Sequence, residues 1–146
     1  MRLTELQDEW ERDAPIDITN LGKEASRVPI LHSKYVTLLS RSKLQLRKAE
    51  SDYLNTRRKK YKYYRGEMTR EELEHEGWTQ FQGNKPLKNE MDEFLACDED
   101  LIYLQDKVEY FKTVQFTLEQ ILRSINSRTW DVKSSIEWTK FTNGMM

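Results

Sequence analysis

Residues 101–125, LIYLQDKVEYFKTVQFTLEQILRSI, decide the fold of this chain. Apolar side chains recur there at alternating intervals of three and four residues, with Gln115 as the one polar interruption. The apolar positions that share this spacing are Leu101, Leu104, Val108, Phe111, Leu118, Leu122 and Ile125. Such a heptad repeat lines one face of an α-helix. It predicts a long helix from about Glu90 to Asn126.

A second long helix is predicted from Leu21 to Arg65, because apolar residues again follow helical spacing and Gly66 is a natural stop. Shorter helices are predicted over residues 3–12 and 69–76, the latter opened by Thr69 and Glu72 in the pattern of a capping box. A last amphipathic segment, residues 129–141, is short for an independent helix and must dock on its own chain or on a neighbouring subunit. We therefore expect an all-α fold, a long antiparallel helical hairpin with short N-terminal and C-terminal helices.

Composition predicts long solvated helices and a division of the chain into three regions. Charged residues make up 34% and hydrophobic residues 37% of the 146 residues, which fits long helices with wide solvated faces and a thin core. Self-association is then expected to bury part of the apolar surface. The predicted regions are an N-terminal helical region (1–66), an acidic, glycine-containing connection (67–90) and a C-terminal helical assembly region (91–146).

The net charge of −1 hides two regions of opposite sign. Residues 41–65 hold ten Lys or Arg against two Asp or Glu, a local charge of +8, whereas residues 66–106 hold three against twelve, a local charge of −9. Local charges of this size are more informative about binding partners than the net charge of the whole chain. The acidic region either repels nucleic acid from one face or docks a basic partner, and the sequence leaves that choice open.

The basic region ends in RRKKYKYYRG, residues 57–66, where cations alternate with tyrosines. Cations bind phosphates, and aromatic rings stack on unpaired bases, whose faces a duplex hides. The segment therefore predicts a single-stranded nucleic-acid site. Its candidate residues are Arg57, Arg58, Lys59, Lys60, Tyr61, Lys62, Tyr63, Tyr64 and Arg65. The competing interpretations are a solvated basic helix end with internally packed tyrosines and, more weakly, a segment that touches anionic lipid.

The heptad seam and the tryptophan-rich end are candidate oligomerisation elements. Periodicity alone favours an intrachain core for the seam, whereas Trp130 and Trp138 share roughly one helix face and suit a subunit interface. The predicted oligomerisation residues are Leu101, Leu104, Val108, Phe111, Leu118, Leu122, Ile125, Trp130, Ile136 and Trp138.

Catalysis has little support in the sequence. His32 and His75 lie far apart, and the sequence holds no phosphate-binding glycine loop, nucleophile elbow or paired zinc cysteines. Residues 98–100, Asp-Glu-Asp, suit a helix N-terminus better than a metal site. The single Cys97 lies next to Asp98 and is a poor nucleophile. We expect a non-enzymatic protein without metal or cofactor.

The compartment follows from further absences. A lone cysteine excludes an intrachain disulfide and favours a reducing compartment. The N-terminus lacks an apolar signal core, and no stretch is long and apolar enough to span a membrane. A soluble, intracellular protein without membrane partners is therefore expected.

Beyond these patterns, the first third of the chain carries a further set of residues: Met1-Arg2-Leu3, Leu6-Gln7, Ile16-Asp17, Leu21, Glu24-Ala25, Leu31 and Ser33-Lys34. In these residues the sequence resembles the UvsY family of phage recombination mediators. Tyr63-Tyr64 and Gly66 match the family's double-tyrosine segment, and Arg58 and Lys60 fall at its basic positions. The resemblance is good over about the first 66 residues, weak across 67–90 and general afterwards. Lys62 and Arg65 make this chain more basic than the family pattern.

The resemblance implies a function without catalysis. Family members bind single-stranded DNA and help to load a RecA-like recombinase of the UvsX type onto strands covered by the phage single-stranded DNA-binding protein. They assemble as hexameric or heptameric rings and act in the cytoplasm of an infected bacterial host. Arg58 and Lys60 would be the principal DNA contacts. The alternatives are an oligomeric adaptor or scaffold without specific nucleic-acid binding and, as a distant third, a metal-dependent nuclease. Subunit count, base preference and the recombinase-contact surface stay open.

Overall fold

The computed structural model describes residues 1–144, and within that range the chain forms five α-helices and no strand. The all-α prediction is confirmed. The helices are α1 (Leu3–Asp13), α2 (Leu21–Tyr64), α3 (Arg70–Glu76), α4 (Lys88–Ala96) and α5 (Glu99–Thr142). Within this described range, no helix combines the length and the apolar character needed to cross a membrane.

Helix α5 differs at both ends from the helix predicted over about Glu90–Asn126. It does not begin near Glu90, because α4 ends at Ala96 and Asp98 then caps a new helix by accepting a hydrogen bond from the Leu101 N–H at 3.1 Å. At the other end, residues 129–141 do not form a separate helix but continue α5 to Thr142. No glycine or proline interrupts residues 122–132, and the buried stripe runs on through Arg128 and Val132.

The chain forms two compact units, and α2 and α5 each run through both. The first unit combines residues 1–44 with residues 112–144. Its core joins α1, the first half of α2 and the second half of α5. The buried core residues are Leu6, Leu31, Tyr35, Val114, Leu118, Ile121, Leu122 and Ile125.

A buried arginine ties the connection between α1 and α2 to α5 within this first unit. The guanidinium of Arg128 donates to the carbonyls of Ala14 and Pro15 at 2.8 and 3.0 Å and to the Glu24 carboxylate at 2.8 Å. Burial alone would raise the pKa of Glu24, but hydrogen bonds from Arg27 and Arg128 outweigh it and lower that pKa. Removal of Glu24 would leave the buried charge of Arg128 without a carboxylate partner, whereas removal of Arg128 would leave Glu24 its pair with Arg27 at 2.9 Å.

The second unit, Gln45–Phe111, contains the second half of α2, α3, α4 and the start of α5. Met91, Leu95 and Leu101 form its core, against which Tyr53 and Tyr64 pack. Helix α3 has the predicted capping box, in which the Glu72 N–H donates to the Thr69 hydroxyl at 3.2 Å. Gly77 ends α3 in the left-handed conformation, with φ at +73°. The segment predicted as a connection thus carries a complete short helix.

Candidate nucleic-acid interface

The basic end of α2 has three faces, and each meets a different environment inside the second unit. The first face packs against α4 and the start of α5, the second meets α3, and the third is open to solvent. Because an α-helix repeats every 3.6 residues, successive residues of the basic segment fall on different faces. The segment is therefore not one uniform basic surface.

Lys60 lies on the first face and is buried, with 7% of its surface exposed. Its ammonium pairs with Asp98 at 3.2 Å and Asp100 at 2.8 Å, and it lies 4.1 Å from the centre of the Trp78 ring. Burial alone would lower the pKa of Lys60, but the hydrogen bonds to Asp100 and Asp98 outweigh it and raise the pKa. The structure thus corrects the expectation that Lys60 presents its charge to a strand, because that charge is already neutralised within the fold.

Tyr64 and Tyr63 are also inward. The Tyr64 hydroxyl donates to Asp98 at 2.6 Å, and the Tyr63 hydroxyl donates to the carbonyl of Thr79 at 2.7 Å. Both rings belong to one edge-to-face aromatic cluster, whose other members are Trp78, Phe81 and Phe94. Burial and the bond to Asp98 raise the pKa of Tyr64. In this arrangement the double tyrosine packs within the unit, although both rings stay partly exposed.

Helix α3 neutralises the second face. Lys59 pairs with Glu76 at 2.6 Å, and Lys62 pairs with Glu72 at 2.9 Å. The hydrogen bond from Lys62 lowers the pKa of Glu72. Since the carboxylates come from the −9 region and the ammonium groups from the +8 region, the two opposite charges of the sequence meet within one unit.

Two further cations of the segment also form exposed pairs. Arg57 lies 3.6 Å from the exposed carboxylate of Asp92, and Arg65 lies 3.1 Å from Glu67. Exposed pairs of this kind contribute about 0–1 kcal/mol and exchange readily with other anions. They leave Arg57 and Arg65 accessible to a phosphate.

The third face carries a cation that is not paired with a carboxylate. Arg58 is exposed. Within residues 1–144 it forms no ion pair, whereas every other cation of the segment has an acidic partner. Tyr61, three residues further along the same face, is 38% exposed, and the Arg65 guanidinium lies 5.7 Å from the centre of its ring. We call Arg58, Tyr61 and Arg65 the open face. It combines a free cation with an accessible aromatic ring.

Comparison with known proteins identifies the family. The family model described as "Recombination, repair and ssDNA binding protein UvsY" matches residues 9–145. The chain belongs to the UvsY family. The recombination protein uvsY of Enterobacteria phage T4 is 26% identical over 144 residues, which cover 99% of each chain.

Solved structures agree with this assignment. A crystal structure of the T4 recombination mediator protein UvsY in lattice type II matches with a TM-score of 0.83 at 26% identity, covering 98% of both chains. The lattice type IV structure matches with a TM-score of 0.84 at 25% identity, covering 97% of this chain and 99% of that one. The five-helix arrangement is therefore a UvsY arrangement, and the resemblance noted over the N-terminal half extends to the whole chain.

The predicted assembly residues of this UvsY-family chain fall into buried, partly buried and exposed groups. Five lie buried within their own chain, and the structure places them in intrachain packing: Leu101, Val108, Leu118, Leu122 and Ile125. Leu104, Phe111 and Ile136 are partly buried. Trp130 and Trp138 are 68% and 65% exposed and so have surface to offer to another subunit.

The residues weighed for catalysis lie apart. His32, His75 and Cys97 are all exposed, and residues 1–144 contain no group of His, Cys, Asp or Glu able to hold a metal ion. Asp98 and Asp100 instead bind Lys60.

The sequence interpretation missed two lysines, Lys85 and Lys88, which lie beside Tyr61 in the fold. They stand in a region whose net charge is strongly negative, so a count of charge hid them. Their spacing of three residues around Pro86 was the available signal.

Proposed function

We propose that this chain is a recombination mediator that binds single-stranded DNA through its open face and promotes loading of a RecA-like, UvsX-type recombinase. The substrate would be a strand covered by the phage single-stranded DNA-binding protein, in homologous recombination, repair and recombination-dependent replication. Membership of the UvsY family supports this role. The observation that carries the DNA site is the exposed, unpaired Arg58 beside the accessible ring of Tyr61.

The open face suits a single strand for a physical reason. Arg58 offers its guanidinium to a phosphate and gains free energy from released counterions. Tyr61 offers a flat face to an unpaired base, an interaction that a duplex cannot make because its bases are stacked on each other. Binding should therefore favour single strands without strong base preference.

Repetition of the open face in a ring would convert a weak site into a strong one. A strand held by one subunit of a hexamer or heptamer meets the next copy at high effective concentration. Bending the strand across several subunits would weaken its contacts with the covering protein and give the recombinase a place to start. We propose that the chain acts in this way without a catalytic step of its own, in the cytoplasm of an infected bacterium.

The test is fluorescence anisotropy of labelled single-stranded oligonucleotides, with duplex of equal length, across a salt series. We expect tighter binding to the single strand. Arg58→Ala should weaken it and reduce the slope of log K against log salt by about 0.7 for each phosphate that the variant no longer neutralises. The control is Arg123→Ala, which removes an exposed arginine of α5. Variants that bind would then enter a recombinase-loading assay.

Equal or negligible binding to both nucleic acids would contradict the DNA site and favour the adaptor or scaffold alternative. If Arg58→Ala bound as well as the wild type while Arg123→Ala did not, the strand would follow a different face of the molecule.

A further inference from the structure

A notch of about 230 Å³ opens next to the open face in the second unit. Tyr61 and Arg65 line one side, and Lys85, Pro86, Lys88 and Met91 complete it. The notch therefore lies between the end of α2 on one side and the start of α4, with the residues just before it, on the other. It has an aromatic ring, an apolar floor and three cationic side chains.

The charges in the notch are unusual for this region. Residues 66–106 contain three cations, Arg70, Lys85 and Lys88, and Arg70 is paired with Glu74 at 3.2 Å. Lys85 and Lys88 are exposed and, within residues 1–144, have no acidic partner. The two unpaired cations of an otherwise acidic region thus converge on one cavity, beside the one exposed tyrosine of the basic segment.

The size of the notch restricts its ligand. Its volume is several times the ~30 Å³ that a water molecule occupies in the liquid. It is smaller than the roughly 300 Å³ at which pockets begin to enclose a whole small molecule. A notch of this size suits one unit of a larger ligand, with a planar group on Tyr61 and an anionic group near the lysines.

We propose that the notch holds one nucleotide of the bound strand, its phosphate between Lys85 and Lys88 and its base against Tyr61. This inference rests on the proposed function and adds two residues of the 67–90 connection to the DNA site. Pro86 and Met91 exclude water from beside the base, and Arg65 places a planar cation at the Tyr61 ring, 5.7 Å from its centre.

The first arm of the test uses the full-length double variant Lys85→Ala/Lys88→Ala in the anisotropy salt series. We expect the slope of log K against log salt to fall by about 0.7, because the two lysines together would neutralise the one phosphate that lies between them. The matched control, Lys23→Ala/Lys107→Ala, removes two exposed lysines from other parts of α2 and α5 and should leave the slope unchanged.

The second arm identifies the residue that meets the base. A single strand that carries bromodeoxyuridine is irradiated with the wild-type protein, and the cross-linked peptide is sequenced by mass spectrometry. We expect the cross-link at Tyr61. Tyr61→Phe should keep the affinity within about twofold, whereas Tyr61→Ala should weaken binding by roughly fivefold or more, since alanine has no ring on which a base can stack.

The outcomes separate this proposal from the function on which it rests. If Lys85→Ala/Lys88→Ala leaves slope and affinity unchanged and the cross-link falls elsewhere, while Arg58→Ala weakens binding, the notch is not a nucleotide site although DNA binding stands. Binding of inorganic phosphate in the notch without displacement of the strand, at ionic strength matched with chloride, would assign the notch to a free anion and overturn the proposal. A wild-type protein without affinity for single strands would overturn both.

Discussion

Arg58 and Lys60 are two residues apart in the sequence and have opposite environments. Residues two positions apart on an α-helix are separated by about 200° around its axis. Lys60 therefore points inward, whereas Arg58 points outward. Lys60 then meets Asp98, Asp100 and Trp78, none of which lies near it in the sequence. At the scale of the residue, position on the helix decides whether a basic side chain is exposed to solvent or supports the fold.

Removal of Lys60 should therefore destabilise the protein and have little effect on its surface charge. We expect Lys60→Met to lower the free energy of unfolding by about 3 kcal/mol, because Asp98 would keep its charge in a buried site. Urea denaturation followed by circular dichroism would measure it. Lys59→Met is the control, since Lys59 forms an exposed pair with Glu76 and its removal should cost about 1 kcal/mol or less.

A further variant separates charge from packing. Lys60→Met/Asp98→Asn leaves no buried charge at that pair and should recover part of the stability that Lys60→Met removes. Equal stability of the Lys60→Met and Lys59→Met proteins would show instead that Lys60 contributes no more than a surface lysine.

Part of the site could be predicted from single residues. The run at 57–66 predicts a DNA-binding segment because its residue types match phosphate and base chemistry, and that assignment stays a prediction. The sequence did not reveal that Tyr63 and Tyr64 are internal, since their partners Thr79 and Asp98 are 16 and 34 residues away. A local motif gives composition, whereas orientation depends on residues that only the folded chain brings together.

At the scale of the element, α3 limits how much of the basic segment is free. Its Glu72 and Glu76 bind Lys62 and Lys59, so the acidic helix occupies cations that a phosphate would otherwise bind. The sequence left the role of the acidic region open between repulsion of DNA and docking of a partner. The structure shows that its immediate partner is the basic end of α2 in the same chain.

Release of these two lysines should strengthen DNA binding. We expect Glu72→Gln/Glu76→Gln to raise the affinity for single strands and to increase the salt slope by up to about 1.4, because two more cations become available to phosphates. Glutamine preserves the capping box of α3, so the helix should persist. Anisotropy titration across the salt series measures both quantities.

The control for this change is Glu71→Gln/Glu90→Gln, which alters net charge equally at two exposed carboxylates outside these pairs. An equal gain in both double variants would mean that overall charge, and not the release of Lys59 and Lys62, sets the affinity.

Element boundaries were predictable where the chain carries local stop and start signals. The capping box at Thr69 and the stop at Gly66 were read correctly for this reason. The break between α4 and α5 was missed because Asp98, Glu99 and Asp100 fit the first turns of one continuous helix as well as they fit a cap. The continuation of α5 past residue 126 was not predicted, although residues 122–132 contain no glycine or proline that would end the helix.

At the scale of the whole molecule, the sequence predicted the all-α class and both long helices, since heptad spacing is a strong signal. It could not show that each long helix serves two compact units, because neither α2 nor α5 carries a break where the units divide. The division by composition at residues 66 and 90 stays a prediction. The assembly residues also divide in a way that periodicity hides, since most of the heptad seam is buried in intrachain packing.

The exposed aromatic end of α5 is then the strongest candidate for a subunit interface. Trp138 and Phe141 stack on each other at 5.8 Å, and each is more than 60% exposed, at 65% and 64%. Large aromatic side chains are enriched in the cores of protein interfaces. A lone chain gains little from such a pair, whereas a neighbouring subunit would cover it.

We expect Trp138→Ala/Phe141→Ala to shift the assembly toward smaller species in sedimentation velocity, with helical content kept because both side chains lie outside the core. Affinity for a long single strand should fall, while affinity for a strand that reaches one subunit should change little, because the variant removes only the linkage between neighbouring sites. Leu44→Ala is the control, as it removes an exposed apolar side chain of α2, 73% accessible, outside the predicted assembly region. An unchanged sedimentation profile would place the interface elsewhere. A fall in affinity for short strands as well would mean that the aromatic end touches DNA itself.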